Sequence, residues 1–172
     1  MDRETLKAVQ APLKQQYQED PKSAIAILHA EGTVDFRSLG CRVALPCNNG
    51  REIIAGLHPK AGGDGAHACS GDMLLQALVT CAGTTLAAVS ISMGLKIEEA
   101  KLEATGLMDF RGTLGVDRTA PIGLTSIDLQ FSIRADADSE QIQKLIQLTE
   151  RYCVVLQTLT KSVSIRSTST LG

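Results

Sequence analysis

A chain of 172 residues with 44% apolar content, 17 basic and 19 acidic side chains has enough length for one real hydrophobic core. Its net charge of −2 offers no basic field for nucleic acid or anionic lipid, and 3% aromatic residues leave few platforms for stacking bases, so nucleic-acid binding is excluded as a main role. The N-terminal stretch MDRETLKAVQAPLKQQYQEDP is too polar for the apolar core of a signal peptide, so a cytoplasmic chain is expected, with its five cysteines present as thiols.

In chain order, the first predicted element is a helix over about Glu4 to Gln18, ending before Pro21 because a residue ahead of proline is pushed out of helical geometry. Residues 24–30 read as a first strand. Cys41 to Leu45 alternate as a second, Asn48-Asn49-Gly50 signals a turn, and Arg51 to Leu57 return as a hairpin partner. A glycine-rich loop, His58 to Cys69, follows. It matches no phosphate-binding motif, and Asp64 and Asp72 would oppose a phosphate.

Ser70 to Gly94, SGDMLLQALVTCAGTTLAAVSISMG, is the segment around which the rest is arranged. It is apolar on almost every side, with Ser70 expected to cap it, Asp72 to favour its N-terminal dipole and Gly94 to end it. It is long enough to cross a bilayer, but the polar row Gln76, Thr80 and Thr84 and the absence of flanking Lys/Arg clusters point to a buried helix of a core, with no membrane partner.

Alternation over 100–110 and 127–135 then predicts two strands of a hairpin around a loop at 112–123. Asp138 or Ser139 is expected to cap a second long helix, about Glu140 to Thr160, with Gln141 completing a capping box if Asp138 is the cap. Val163 and Ile165 mark a short closing strand. The order predicts an α+β fold, an antiparallel sheet wrapped around a buried central helix, in one domain over 1–172 with 1–20 as an N-terminal helical extension. Such an apolar helix and so many sheet edges call for a symmetric, intertwined homodimer sharing its core.

The candidate chemistry lies in cysteine. Cys81 shares a helix face with Leu74, Ala77, Leu78, Thr85 and Ala88, and Cys153 falls on the stripe Ile142, Leu145, Ile146, Thr149 and Leu156. Two inward thiols on two packed helices can meet, although a disulfide needs Cα atoms within about 7 Å. From the residues alone, a redox pair and two inert core cysteines both stay open. Cys41, Cys47, His67 and Cys69 lack the close-pair spacing of a zinc site, so no metal is assigned. Arg111, Arg118, Lys60 and His58 read as solvated charges.

The order of a Gly-rich loop, SGDMLLQALVTCAGTTL, MGLKIEEAKLEATG and LTERYCVVLQTLTKSVSI resembles the OsmC/Ohr family, which takes in osmotically induced protein C and organic hydroperoxide resistance proteins. The resemblance runs from about Val43 to Ile165. It implies the OsmC-like fold and a thiol peroxidase: Cys81 as the peroxidatic residue, Cys153 resolving it through a disulfide, and no cofactor or metal. It also implies a homodimer with the active site at the subunit interface, organic hydroperoxides as substrates, and a dithiol reductant such as a lipoylated protein. Better-known members carry a Glu where this chain has Gly71, working with an Arg. Here the acidic residue stands one place later, as Asp72, which resembles a less characterised branch and makes Asp72 the third candidate site residue. The loop before the helix holds no Arg, so the cation would come from Arg42, Arg51, Arg111, Lys60, His58 or the other subunit. Val154 occupies the place of a family proline, which predicts a continuous helix through Cys153. A competing reading is an OsmC-fold dimer that binds or senses a small hydrophobic ligand without efficient peroxidase activity.

Overall fold

The computed structural model describes residues 1–45 and 51–171. The predicted Asn48-Asn49-Gly50 turn and Cys47 lie outside them. Helix α1 (Arg3–Glu19) is capped by Asp2, whose carboxylate accepts from the Thr5 N–H at 2.8 Å. Strands β1 (Gly32–Asp35), β2 (Gly40–Ala44) and β3 (Glu52–Ala55) form one antiparallel sheet in the order β1-β2-β3. The predicted strand over 24–30 is not formed: Pro21–Ala24 make a 3₁₀ turn, and Ile27 and Leu28 follow with no strand partner at 95% and 90% exposure. Their β-prone side chains find no sheet edge within the same chain.

The long helix α2 (Ser70–Met93) starts one residue earlier than its hydroxyl suggested. Cys69, not Ser70, is the cap: its sulfur accepts from the Asp72 N–H at 3.4 Å, while the Asp72 carboxylate accepts from the Cys69 N–H at 3.1 Å. Gly94 ends the helix in the left-handed conformation, φ 73°. Strands β4 (Ile97–Met108) and β5 (Leu124–Ala135) pair antiparallel, with Leu102 opposite Phe131 and Ala104 opposite Leu129. Their connection opens with a helical turn, α3 (Phe110–Thr113). Gly106 allows β4 to close on the helix, since a Cβ there would stand 2.9 Å from the Leu124 side chain and 3.3 Å from that of Leu75. Helix α4 (Ser139–Tyr152) carries the expected capping box between Asp138 and Gln141.

The predicted second long helix is interrupted. Cys153 is extended, at φ −70° and ψ 107°, and a separate helix α5 (Val154–Thr160) begins after it. Proline is not needed for the break. Cys153 ends α4 by donating its N–H to the Thr149 carbonyl at 2.9 Å, and it caps α5 with a sulfur that accepts from the Leu156 N–H at 3.5 Å. The Gln157 side chain donates to the freed Glu150 carbonyl at 2.9 Å across the break. The closing strand expected around Val163 and Ile165 is absent, and these residues are exposed with no strand partner.

The core forms where α2 meets β4, α4 and α5. Leu78, Ala82 and Cys153 are buried at its centre, with Leu102, Ala104, Ile127, Leu129, Val155 and Leu156 around them. Within one chain α2 buries one face only, Leu78, Ala82, Leu86 and Ser90, although its length and mean hydropathy of 1.7 would suit a membrane span. The accessible surface is 13350 Å², against roughly 8,100 Å² expected of a compact monomer of this mass. One chain has too little sheet to enclose α2. Leu145, fully buried on α4, tests the core directly: Leu145→Ala is expected to cost about 2–5 kcal/mol in urea unfolding followed by far-UV circular dichroism.

Candidate active site

Cys81 sits in the middle of α2, half-buried, at the margin of the core cluster that contains Cys153. Helix α2 and the junction of α4 with α5 pack the two side chains into one cluster, and both sulfurs are free. Because α5 begins at Val154, its first backbone N–H groups have no carbonyl partner within the helix, and those of Val155 and Val154 are among the groups that lower the Cys81 pKa.

The electrostatic result separates the two thiols. Burial pushes the Cys81 pKa up, but the N–H groups of Val155 and Val154, the Cys153 thiol and the Thr85 hydroxyl together bring it below the ordinary thiol value. Cys153 moves the other way. Its burial raises the pKa, and the neighbouring Cys81 raises it further by hydrogen bonding and by charge, against the lowering effect of the Leu156 and Val155 amides. The site therefore holds one thiol disposed to ionise beside one that stays protonated, and the groups that do most to lower the Cys81 pKa are neutral.

Asp72 is not part of this constellation within one chain. It lies roughly 13 Å of helix rise before Cys81 and is engaged in the α2 capping box. Two of the candidate cations are engaged elsewhere: the Arg111 guanidinium donates to Asp109 at 2.6 Å and meets Asp117 at 3.5 Å, and Arg42 faces Asp35 at 3.9 Å. The His58 ring stacks on Phe110 at 4.7 Å and accepts from the Lys60 backbone N–H. Among the described residues, no three His, Cys, Asp or Glu side chains gather as a metal site.

An apolar groove of about 350 Å³ adjoins the thiol pair, lined by Leu78, Ile127, Leu129, Leu156 and Leu159, with Thr125, Ser126 and Thr160 at its polar edge. Leu78 and Leu156 belong both to this groove and to the cluster around Cys153. The free amides of Val154 and Val155 follow from a helix break that no proline marks, and the one local signal for it is a Cys153 side chain able to cap the next helix.

The sequence model of the family described as OsmC-like protein matches residues 63–168. Among solved structures, the fold is similar to an OsmC-like protein from Mycoplasma pneumoniae, with a TM-score of 0.63 and 17% identity over 78% of this chain and 88% of that one. It is also similar to an organic hydroperoxide resistance protein from Legionella pneumophila, with a TM-score of 0.57 and 9% identity over 78% and 91% of the two chains. A third similar structure is the organic hydroperoxide resistance protein from Elizabethkingia anophelis, with a TM-score of 0.53 and 16% identity over 77% and 88%. No curated protein sequence matches.

Since the thiolate is the form that reacts with alkylating agents, the lowered pKa of Cys81 and the raised one of Cys153 set their order of modification. Iodoacetamide labelling of the reduced protein across a pH series, read by peptide mass mapping, is expected to show Cys81 modified first. Its half-maximal rate should lie at lower pH than that of an ordinary thiol, with Cys153 reaching the same point only at higher pH.

Proposed function

This chain belongs to the OsmC-like protein family, and from that premise and the cysteine pair we propose that it is a thiol peroxidase reducing organic hydroperoxides. The observation that carries the reading is the opposed ionisation of two adjacent thiols, Cys81 lowered and Cys153 raised. In the first step the Cys81 thiolate attacks one oxygen of the O–O bond. That bond breaks, the alkoxide leaves and takes a proton as alcohol, and Cys81 becomes a sulfenic acid.

Oxidation removes the Cys81 charge, one of the causes that keep Cys153 protonated. Cys153 then loses its proton and attacks the Cys81 sulfur, hydroxide leaves as water, and a disulfide forms. A dithiol reductant, such as a lipoylated protein, completes the cycle by thiol–disulfide exchange. The apolar groove beside the pair suits an organic substituent better than hydrogen peroxide. Two of the similar structures are named as organic hydroperoxide resistance proteins, which supports the same substrate class.

The working unit in this reading is a homodimer with the site at its interface. The exposed apolar stretches around Ile27 and Ile165, the uncovered faces of α2 and the excess surface support a second copy as their cover. Sedimentation equilibrium is expected to give twice the 18.3 kDa chain mass, and Ile27→Glu to shift the population toward single chains.

The chemistry is tested by treating the reduced protein with one equivalent of cumene hydroperoxide, with hydrogen peroxide in parallel, followed by intact-mass and peptide analysis. A two-hydrogen loss localised to Cys81 and Cys153, faster with the organic peroxide, is the expected result. If Cys81 stays reduced, the peroxidase reading fails. Cys153→Ser keeps an N-cap oxygen for α5, so it is expected to fold and to accumulate sulfinic acid at Cys81 under excess peroxide.

A further inference from the structure

Five hydroxyl side chains lie in the body of α2: Thr80, Thr84, Thr85, Ser90 and Ser92. Four of them turn back onto their own helix. Thr80 donates to the Gln76 carbonyl at 2.8 Å, Thr84 to that of Thr80 at 3.0 Å, Ser90 to that of Ala87 at 2.9 Å and Ser92 to that of Ala88 at 2.9 Å. This is how a hydroxyl in a helix ordinarily satisfies itself. Among the described residues, Thr85 alone of the five makes no such bond. It is half-buried, one turn after Cys81 on the same helix face, and its hydroxyl is among the groups that lower the Cys81 pKa.

The position matters because the groups that do most to lower the Cys81 pKa, from α2 through Thr85 and from the junction of α4 with α5 through Cys153, Val154 and Val155, are all neutral. The candidate cations Arg42 on β2 and Arg111 on α3 are committed to carboxylates. A hydroxyl on a rigid helix, one turn from the sulfur, needs no desolvated charge and loses little side-chain entropy on forming its bond.

We propose that Thr85 is a positioning residue for the reactive Cys81. Its uncommitted hydroxyl donates to the thiolate from within α2 and, with the Val154 and Val155 amides, takes the place of a cation. The proposal rests on the reading of Cys81 as the reactive thiol, but it concerns the ionisation of that sulfur and not its reaction with peroxide.

The test is the pH profile of Cys81 alkylation by iodoacetamide, resolved by peptide mapping of the full-length reduced protein at low and high salt. Thr85→Val removes the donor and keeps the shape, and is expected to shift the profile to higher pH and slow Cys81 labelling about three- to tenfold at neutral pH. Thr85→Ser should restore the profile, and Thr84→Val, which removes an exposed, back-bonded hydroxyl on the neighbouring position, should leave it unchanged. The wild-type midpoint should move little with salt, because neutral donors are not screened as an exposed ion pair is.

An unchanged profile in Thr85→Val overturns the proposal, as does a Thr85→Ser variant that behaves like Thr85→Val. A midpoint that rises steeply with salt, independently of position 85, overturns it in favour of a cation supplied by the second copy. Should Thr85→Val fail to fold, Thr85→Ala removes the same donor without a β-branched side chain, and the same shift to higher pH, rescued by Thr85→Ser, is expected of it. Because alkylation needs no peroxide, a protein whose Cys81 ignores cumene hydroperoxide yet shows the Thr85 dependence would sink the peroxidase reading and leave this inference standing.

Discussion

The interruption of the helical chain at Cys153 is the constraint on which the site depends. Had α4 run straight into α5, the amides of Val154 and Val155 would have been consumed by carbonyls one turn back and lost to Cys81. With Cys153 extended, one residue ends a helix, caps the next and packs beside the other thiol. The break leaves few groups unpaired: Gln157 bridges it to the Glu150 carbonyl, and Thr149, fully buried, donates to the Leu145 carbonyl at 2.8 Å. One sulfur is thus both the cap acceptor of α5 and the neighbour of the Cys81 thiol.

The second constraint is area. A helix with the composition of α2 can be stable in water only if most of its surface is covered, yet β4, β5, α4 and α5 cover one face of it. The same incompleteness accounts for the two missing strands. Val163, Ile165 and residues 25–28 have the side chains of strands but, in one chain, no ladder to join.

At the site, what was legible was the identity of the pair and not its surroundings. Cys81 and Cys153 each fell on an inward helical stripe, and such periodicity survives folding because it reflects burial. Asp72 was legible as an acidic residue in the first turn of α2 but not as a capping-box partner, which depends on the Cys69 N–H beside it. The Ser70 cap was misread for a similar reason: Cys69 sits one residue earlier with its sulfur already placed on the Asp72 amide. Thr85 carried no signal against Thr84, because the choice between donating to a carbonyl and facing a sulfur is made by a rotamer.

By itself, the sequence determined the α+β order, the extents of α1 and α2, the β2–β3 and β4–β5 pairings and the two cysteines that face the core. These follow from local periodicity, capping residues and the left-handed tolerance of Gly94, all of which act over a few residues. Only the tertiary structure decided that Cys153 would break a helix without proline, and which N–H groups and hydroxyl would surround Cys81. It also decided that α2 would be left half-uncovered. Those outcomes depend on which backbone groups and surfaces distant parts of the chain bring together, and no local pattern encodes that balance.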